Sequence, residues 1–203
     1  MTGTVLLATR NPHKLTELRR LLAAGGVTEL AVIGLDEVAE YQEPAETGVS
    51  FEENALIKAR AAAAATGLPA LADDSGLAVD ALNGMPGVLS ARWSGRHGDD
   101  VANLELLLAQ MSDVPDARRG AQFVCAAALV LPDGTERVLR ATWPGMLATA
   151  ARGSNGFGYD PIFVPDGESR TSAELSPEEK DAASHRGQAL RAMLPALRAL
   201  ARH

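Results

Sequence analysis

An α/β fold is predicted for this chain of 203 residues by three observations. A short apolar run, Thr4-Val5-Leu6-Leu7-Ala8, gives way to a polar turn and then to an amphipathic pattern with Leu15, Leu18 and Leu22 on one face, which reads as strand, turn, helix. A second helical segment, punctuated at both ends, leads through Gly67 into another apolar run, Leu68-Pro69-Ala70-Leu71-Ala72, short enough for a buried strand. Later, Ala121 to Leu131 is a long apolar strand, closed by the turn Pro132-Asp133-Gly134 and answered by a return strand from Arg137 to Trp143.

Taken in order, the first turn carries the first chemistry. Asn11 is a good helix cap and Pro12 a good first helical residue, so the free backbone N–H groups of the first turn are expected to point into the loop. Those donors, the helix dipole, the cations of Arg10 and Lys14 and the hydroxyl of Thr9 would together make a phosphate site. A plainly capped surface helix is the alternative. Neither a Walker loop nor a Gly-x-Gly-x-x-Gly fingerprint occurs here.

Leu30 to Ile33 is a further short strand, and the acidic stretch from Asp36 to Glu46 reads as a solvated face. Ser50-Phe51-Glu52-Glu53 has capping-box spacing, and the helix it opens runs through an alanine-rich segment to Gly67. Asn54 and Lys58 lie four apart on it and share a face. The alanines from 61 to 65 allow close approach to a sheet.

Leu71-Ala72-Asp73-Asp74-Ser75-Gly76-Leu77 is the expected centre of the chemistry, because an apolar strand breaks into two carboxylates, a hydroxyl and a glycine. Loops at strand ends are where ligands gather in α/β sheets, and adjacent carboxylates suit a hard cation such as Mg²⁺. The same four residues are also ordinary turn composition. If the pleat persists, Asp73 points away from Asp74 and takes a structural role.

Asn83 to Gly87 is turn-rich, and a helix is expected near 99 to 112. Cys125 lies inside an apolar run and reads as core. Gly153 to Pro161 places three glycines, Phe157 and Tyr159 in one loop before Ile162-Phe163-Val164, so that backbone could approach a ligand closely and a ring could stack on a base. Ser176-Pro177-Glu178-Glu179 is a second capping box, followed by the donors Lys180, His185 and Arg186 before a helix rich in Leu and Ala.

Composition bounds the reading. Hydrophobic content of 46% and charged content of 22% fit one soluble domain, residues 1–203, with no linker that isolates a second one. No apolar stretch spans a bilayer and no signal core opens the chain, so a cytoplasmic protein without membrane contact is expected. One cysteine and histidines scattered at 13, 97, 185 and 203 argue against disulfides and against a zinc centre. A formal charge of −7 argues against a nucleic-acid polymer as partner.

Together the stretches Ala8 to Lys14, Glu46 to Phe51 with Asn54 and Lys58, Ala72 to Leu77, Pro86-Gly87 with Ser90-Ala91-Arg92, Gly156 to Pro161 and Ser184-His185-Arg186 resemble the inosine triphosphate pyrophosphatase family. They occur in family order over nearly the whole chain, and Asp-Asp-Ser-Gly is the form of its bacterial and archaeal branch. Arg10 departs from the pattern, which often has glycine there. The resemblance implies an elongated α/β protein with a long mixed β-sheet and flanking helices, two lobes with a central cleft, and a homodimer. It implies Mg²⁺-dependent hydrolysis of dITP, ITP or XTP to the monophosphate and pyrophosphate. Carried over by residue, Thr9, Arg10, Asn11, Pro12, His13 and Lys14 would hold the triphosphate, and Asp74 would be general base and metal ligand with Glu46 as second ligand. Lys58, Ser75, Phe157, Gly158, Tyr159, Asp160, Lys180, His185 and Arg186 would contact substrate. A nucleotide sensor without turnover, and a septum-inhibitor-type pyrophosphatase acting on modified pyrimidines, are the alternatives.

Overall fold

The computed structural model describes residues 3–201, so His203 lies outside the described residues. It is a mixed α/β fold built on one six-stranded sheet with strand order β2-β1-β3-β4-β5-β6. The strands are β1 (Gly3–Leu7), β2 (Leu30–Ile33), β3 (Ala70–Val79), β4 (Gly120–Val130), β5 (Glu136–Leu147) and β6 (Phe163–Pro165). The helices are α1 (Pro12–Ala24), α2 (Phe51–Thr66), α3 (Asp100–Gln110), α4 (Pro177–Ala183) and α5 (His185–Leu200). β1 runs parallel to β2 and to β3, with Val5 opposite Val32 and Leu7 opposite Leu71, whereas β6 is antiparallel to β5. Among the described residues no helix is long and apolar enough to cross a membrane.

The chain divides into two compact units. The first comprises the chain up to Asp74, Cys125–Ala141 and the chain from Arg186 onward. Its core joins Val5 and Leu7 of β1, Leu18, Leu21 and Leu22 of α1, Leu71, Cys125 and Leu129, and Leu190, Met193 and Leu197 of α5. Cys125 is core as expected, and burial followed by the nearby Asp73 pushes its thiol pKa far up. The second unit comprises Ser75–Val124 and Thr142–His185. Its core joins Leu77 and Val79, Leu107 and Met111 of α3, Phe123, Trp143, Tyr159, Ile162 and Phe163. Each fully buried side chain of this size contributes roughly 1.5–3 kcal/mol.

α2 is capped at both ends as its sequence predicts, except that the Glu53 carboxylate accepts from Val49 N and so does not close a capping box on Ser50 N. The Ser50 hydroxyl accepts from Glu53 N, and Gly67 closes the helix in the left-handed conformation at φ 68°. Ala55, Ala59, Ala62 and Ala63 form its buried face, so the alanine run serves close approach. Ser176 likewise caps α4 in a complete capping box.

One expectation is corrected. Asp73-Asp74-Ser75-Gly76 is not a turn at a strand end, because β3 runs unbroken through it from Ala70 to Val79. Turn-forming residues remain extended here since the neighbouring elements supply cations and an amide that hold both carboxylates, as the site itself makes clear.

Candidate active site

The loop after β1 is held by its own residues. The Asn11 side chain accepts from His13 N at 2.9 Å, the Asn11 carbonyl accepts from Lys14 N at 3.2 Å, and Thr9 Oγ1 accepts from Asn11 N at 3.2 Å. The first-turn N–H groups expected to be free are therefore occupied, because Asn11 takes them with both its side chain and its carbonyl. What the helix start still offers an anion is its dipole, since no acidic residue lies in the first turn of α1, together with the Lys14 side chain. His13 and Pro12 are exposed, and the exposed Arg10 pairs with Glu43 of the acidic stretch.

The pleat of β3 separates the two aspartates, as the alternation of a strand requires. Asp73 Oδ2 faces Lys14 Nζ at 2.8 Å and Arg186 Nε at 3.1 Å, with Cys125 Sγ at 4.0 Å. Arg186 in turn donates through Nη1 to Glu17 Oε2 at 3.1 Å. All three of Asp73, Arg186 and Glu17 are buried. Burial alone pushes the Asp73 carboxyl up, but the charges of Lys14, Arg186 and Lys58 outweigh it and hold it well below the usual carboxylate range. Lys14 is pulled below its ordinary value by burial, against the opposing attraction of Asp73.

Asp74 has different company. Its Oδ2 accepts from Asn54 Nδ2 at 3.0 Å, and its Oδ1 lies 3.8 Å from Lys58 Nζ. The same ammonium is 2.7 Å from Glu46 Oε1. Burial, with Glu46 adding to it, raises the Asp74 pKa despite Lys58 and the Asn54 hydrogen bond. Asp74 is thus the carboxyl of the pair with the raised pKa, the direction in which a general base is tuned. Lys58 is raised, because Asp74, Asp73 and Glu46 together overcome its desolvation.

Glu46 and Asp74 present hard oxygens to one cation, the Lys58 ammonium. That donor set fits Mg²⁺, which is held by one or two carboxylates and takes its remaining ligands from water and phosphate. Among the described residues no group of three His, Cys, Asp or Glu side chains could hold a metal.

In the second unit the glycine-rich loop organises around Asp160. This buried carboxylate accepts from Phe157 N at 2.8 Å and from Ser172 Oγ at 2.8 Å, and it pairs with Lys180 Nζ. A Cβ on Gly156, at φ 77°, would strike the same carboxylate, so only glycine allows the loop to close on it. Lys180 also stands 5.3 Å from the centre of the half-buried Phe157 ring. Gly158 N donates to Asp100 Oδ2 at 2.9 Å, and the buried Tyr159 hydroxyl donates to the Ser90 carbonyl at 2.9 Å. His185 lies flat on Phe123, with centroids 4.8 Å apart, and is stacked near Trp143. Ser75 is half-buried in β3 directly after Asp74.

Of the expected residues, then, Lys14, Lys58, Glu46, Asp74 and Arg186 belong to one charged cluster in the first unit, and Phe157, Asp160 and Lys180 to another in the second. Sequence reasoning missed Glu17, Asp100 and Ser172. Glu17 reads as an ordinary helical acid three residues after Lys14, and nothing local shows that α5 brings Arg186 to it.

The Ham1 family model matches residues 5–196. The chain belongs to the Ham1 family. Curated relatives within reach of this family include the dITP/XTP pyrophosphatase of Nocardia farcinica, 66% identical over 97% of this chain and 96% of the relative. A solved Ham1-family structure, the dITP/XTP pyrophosphatase of Mycobacterium abscessus, is 64% identical with a TM-score of 0.78, covering 96% of this chain and 99% of that one. The HAM1 protein of Coxiella burnetii is 43% identical with a TM-score of 0.87, covering 96% and 98%.

Proposed function

We propose that the chain is a nucleoside triphosphate pyrophosphatase that hydrolyses the non-canonical purine nucleotides dITP, ITP and XTP to the monophosphate and pyrophosphate. The observation that carries this reading is the pairing, on one strand, of a structural aspartate tied to Lys14 with a second, raised-pKa aspartate set beside Lys58 and Glu46. The named activity of relatives at 60–66% identity supports the same conclusion. We take residues 1–203 as one working domain, cytoplasmic and homodimeric, with neither nucleic acid nor membrane as partner.

Thr9 to Lys14 hold the phosphates, with Lys14 as the principal cation and the α1 dipole behind it. The Lys14–Asp73 contact keeps that ammonium charged in a buried setting until phosphate oxygens share it. Asp74 orients the attacking water and accepts its proton. Lys58 is placed to balance the carboxylates of Asp74 and Glu46 and the negative charge that gathers there. Glu46 and Asp74 would hold Mg²⁺, which when bound neutralises charge on the phosphate oxygens.

Phe157, Gly158, Tyr159, Asp160, Lys180 and His185, with Arg186 and Ser75, are assigned to substrate recognition. Hypoxanthine and xanthine offer an acceptor O6 to donors such as His185 and Arg186. Adenine offers an amino donor in that place and would forfeit such a hydrogen bond, a loss of about 1–3 kcal/mol.

The test is product analysis after incubation with Mg²⁺ and dITP, XTP, dGTP, dATP or dUTP in parallel. Monophosphate and pyrophosphate from dITP and XTP, with little from the others, is the expected result. Orthophosphate release would move the attack to the γ-phosphate. Preference for a pyrimidine, or binding without turnover, would replace this reading with a pyrimidine enzyme or a sensor.

A further inference from the structure

Asn54 is wholly buried in the first turns of α2, a position where an asparagine gains little as a helix former and pays desolvation for its amide. Both ends of that amide are used. Its Oδ1 accepts from Gly48 N at 2.8 Å, and its Nδ2 donates to Asp74 Oδ2 at 3.0 Å. The orientation is dictated chemically, since a backbone N–H can only donate and so must meet the amide oxygen. The approach to the 46–49 loop is close. A Cβ on Gly48 would come within 2.7 Å of Asn54 Oδ1, and only glycine leaves the room.

Four residues on, along the same helical face, Lys58 touches Asp74 as well, at 3.8 Å, and reaches the same loop at Glu46, at 2.7 Å. α2 therefore bridges the Glu46 loop to β3 twice. One bridge is charged and partly solvated; the other is neutral and buried. A phosphate would compete for the Lys58 ammonium of the first bridge, and the second bridge has no cation to give up.

We propose that Asn54 is a positioning residue, whose single buried amide holds the Asp74 carboxylate and the Glu46-bearing loop in fixed register. The proposal rests on the assignment of Asp74 and Glu46 made above and extends it to a buried amide committed to Gly48 and Asp74. With Oδ2 of Asp74 committed to Asn54, Oδ1 is the oxygen turned toward Lys58. Through Gly48, the same side chain fixes the peptide two residues from Glu46.

Two substitutions separate the arms. Asn54→Asp keeps the size and the acceptor for Gly48 N, but sets an oxygen where Asp74 had a donor. Asn54→Leu removes both arms at similar volume. For Asn54→Asp the expected result is a fall in kcat on dITP of about a hundredfold, the scale of a small misplacement at a reacting group, with KM within about threefold. Amide hydrogen exchange supplies a readout independent of turnover. Gly48 N–H should exchange at least about tenfold faster in Asn54→Leu and keep its protection in Asn54→Asp, while the amides of the α2 centre stay unchanged in both. A wild-type kcat in Asn54→Asp, unaltered Gly48 exchange in Asn54→Leu, or loss of activity only in proportion to loss of folded protein would each overturn the proposal. If Asn54→Leu does not fold, the kcat and KM of Asn54→Asp decide. If the wild type fails to hydrolyse dITP, the functional assignment falls, and the Gly48 exchange still decides the coupling.

Discussion

Asp73 and Asp74 are neighbours on one strand, both buried, and their surroundings treat them in opposite ways. On the Asp73 side, Lys14 and Arg186 converge on one oxygen and Glu17 balances the second cation, so the carboxylate stays charged and pinned. On the Asp74 side, burial and Glu46 oppose the charge that Lys58 and Asn54 support, and the proton is more easily held. The difference shows how adjacent identical residues acquire separate duties. A strand delivers them to opposite faces, and the elements on each face determine whether a carboxylate serves as a brace or as a reagent.

The comparison breaks most visibly in turnover. Asp74→Asn should lower kcat for dITP by about a thousandfold, within the range for loss of a positioned general base, while triphosphate binding stays measurable by calorimetry and the melting curve stays intact. Unchanged turnover would take Asp74 out of the chemistry. Lys14→Met sharpens the other side. It removes a charged hydrogen-bond donor to phosphate, so KM should rise about ten- to a hundredfold, read from initial rates over a dITP series. Arg10→Gly restores the residue common in the family pattern and should change KM by less than about fivefold. Its pair with Glu43 has side chains 68% and 40% exposed, and such surface pairs contribute little.

Much of this was legible in the sequence where the signal is local. Asn11-Pro12, Ser50 with Glu53, Gly67, and Ser176 with Glu179 mark helix ends through chemistry that acts within a few residues, and each cap is found in place. Cys125 was legible as core because its neighbours on the strand are apolar. The Asp-Asp-Ser-Gly segment misled as a turn, since composition cannot show that Lys14, Lys58 and Arg186 arrive from distant parts of the chain to neutralise two acids inside a strand. Glu17 and Asp100 were invisible for the same reason, their partners lying 169 and 58 residues away. Asn54 was placed on the right face by helical spacing alone, but its two partners come from a loop and a strand that spacing does not reach.

The most direct test of the division between the two aspartates is the stability of Asp73→Asn and Asp74→Asn in urea, with EDTA present, at pH 7 and at pH 4. Asp73 has a lowered folded pKa, so its contribution is fully present above the ordinary aspartate value of about 4 and fades only as pH falls below it. Asp74 has a raised folded pKa, so its charge opposes folding once pH rises above that same ordinary value. At pH 7, Asp73→Asn should lose about 3–5 kcal/mol, the cost of breaking a buried pair, and Asp74→Asn should be at least as stable as the wild type. Toward pH 4 the Asp74→Asn difference should close, whereas the Asp73→Asn loss should persist and narrow only as pH falls further. Equal destabilisation by the two substitutions at pH 7 would contradict the account.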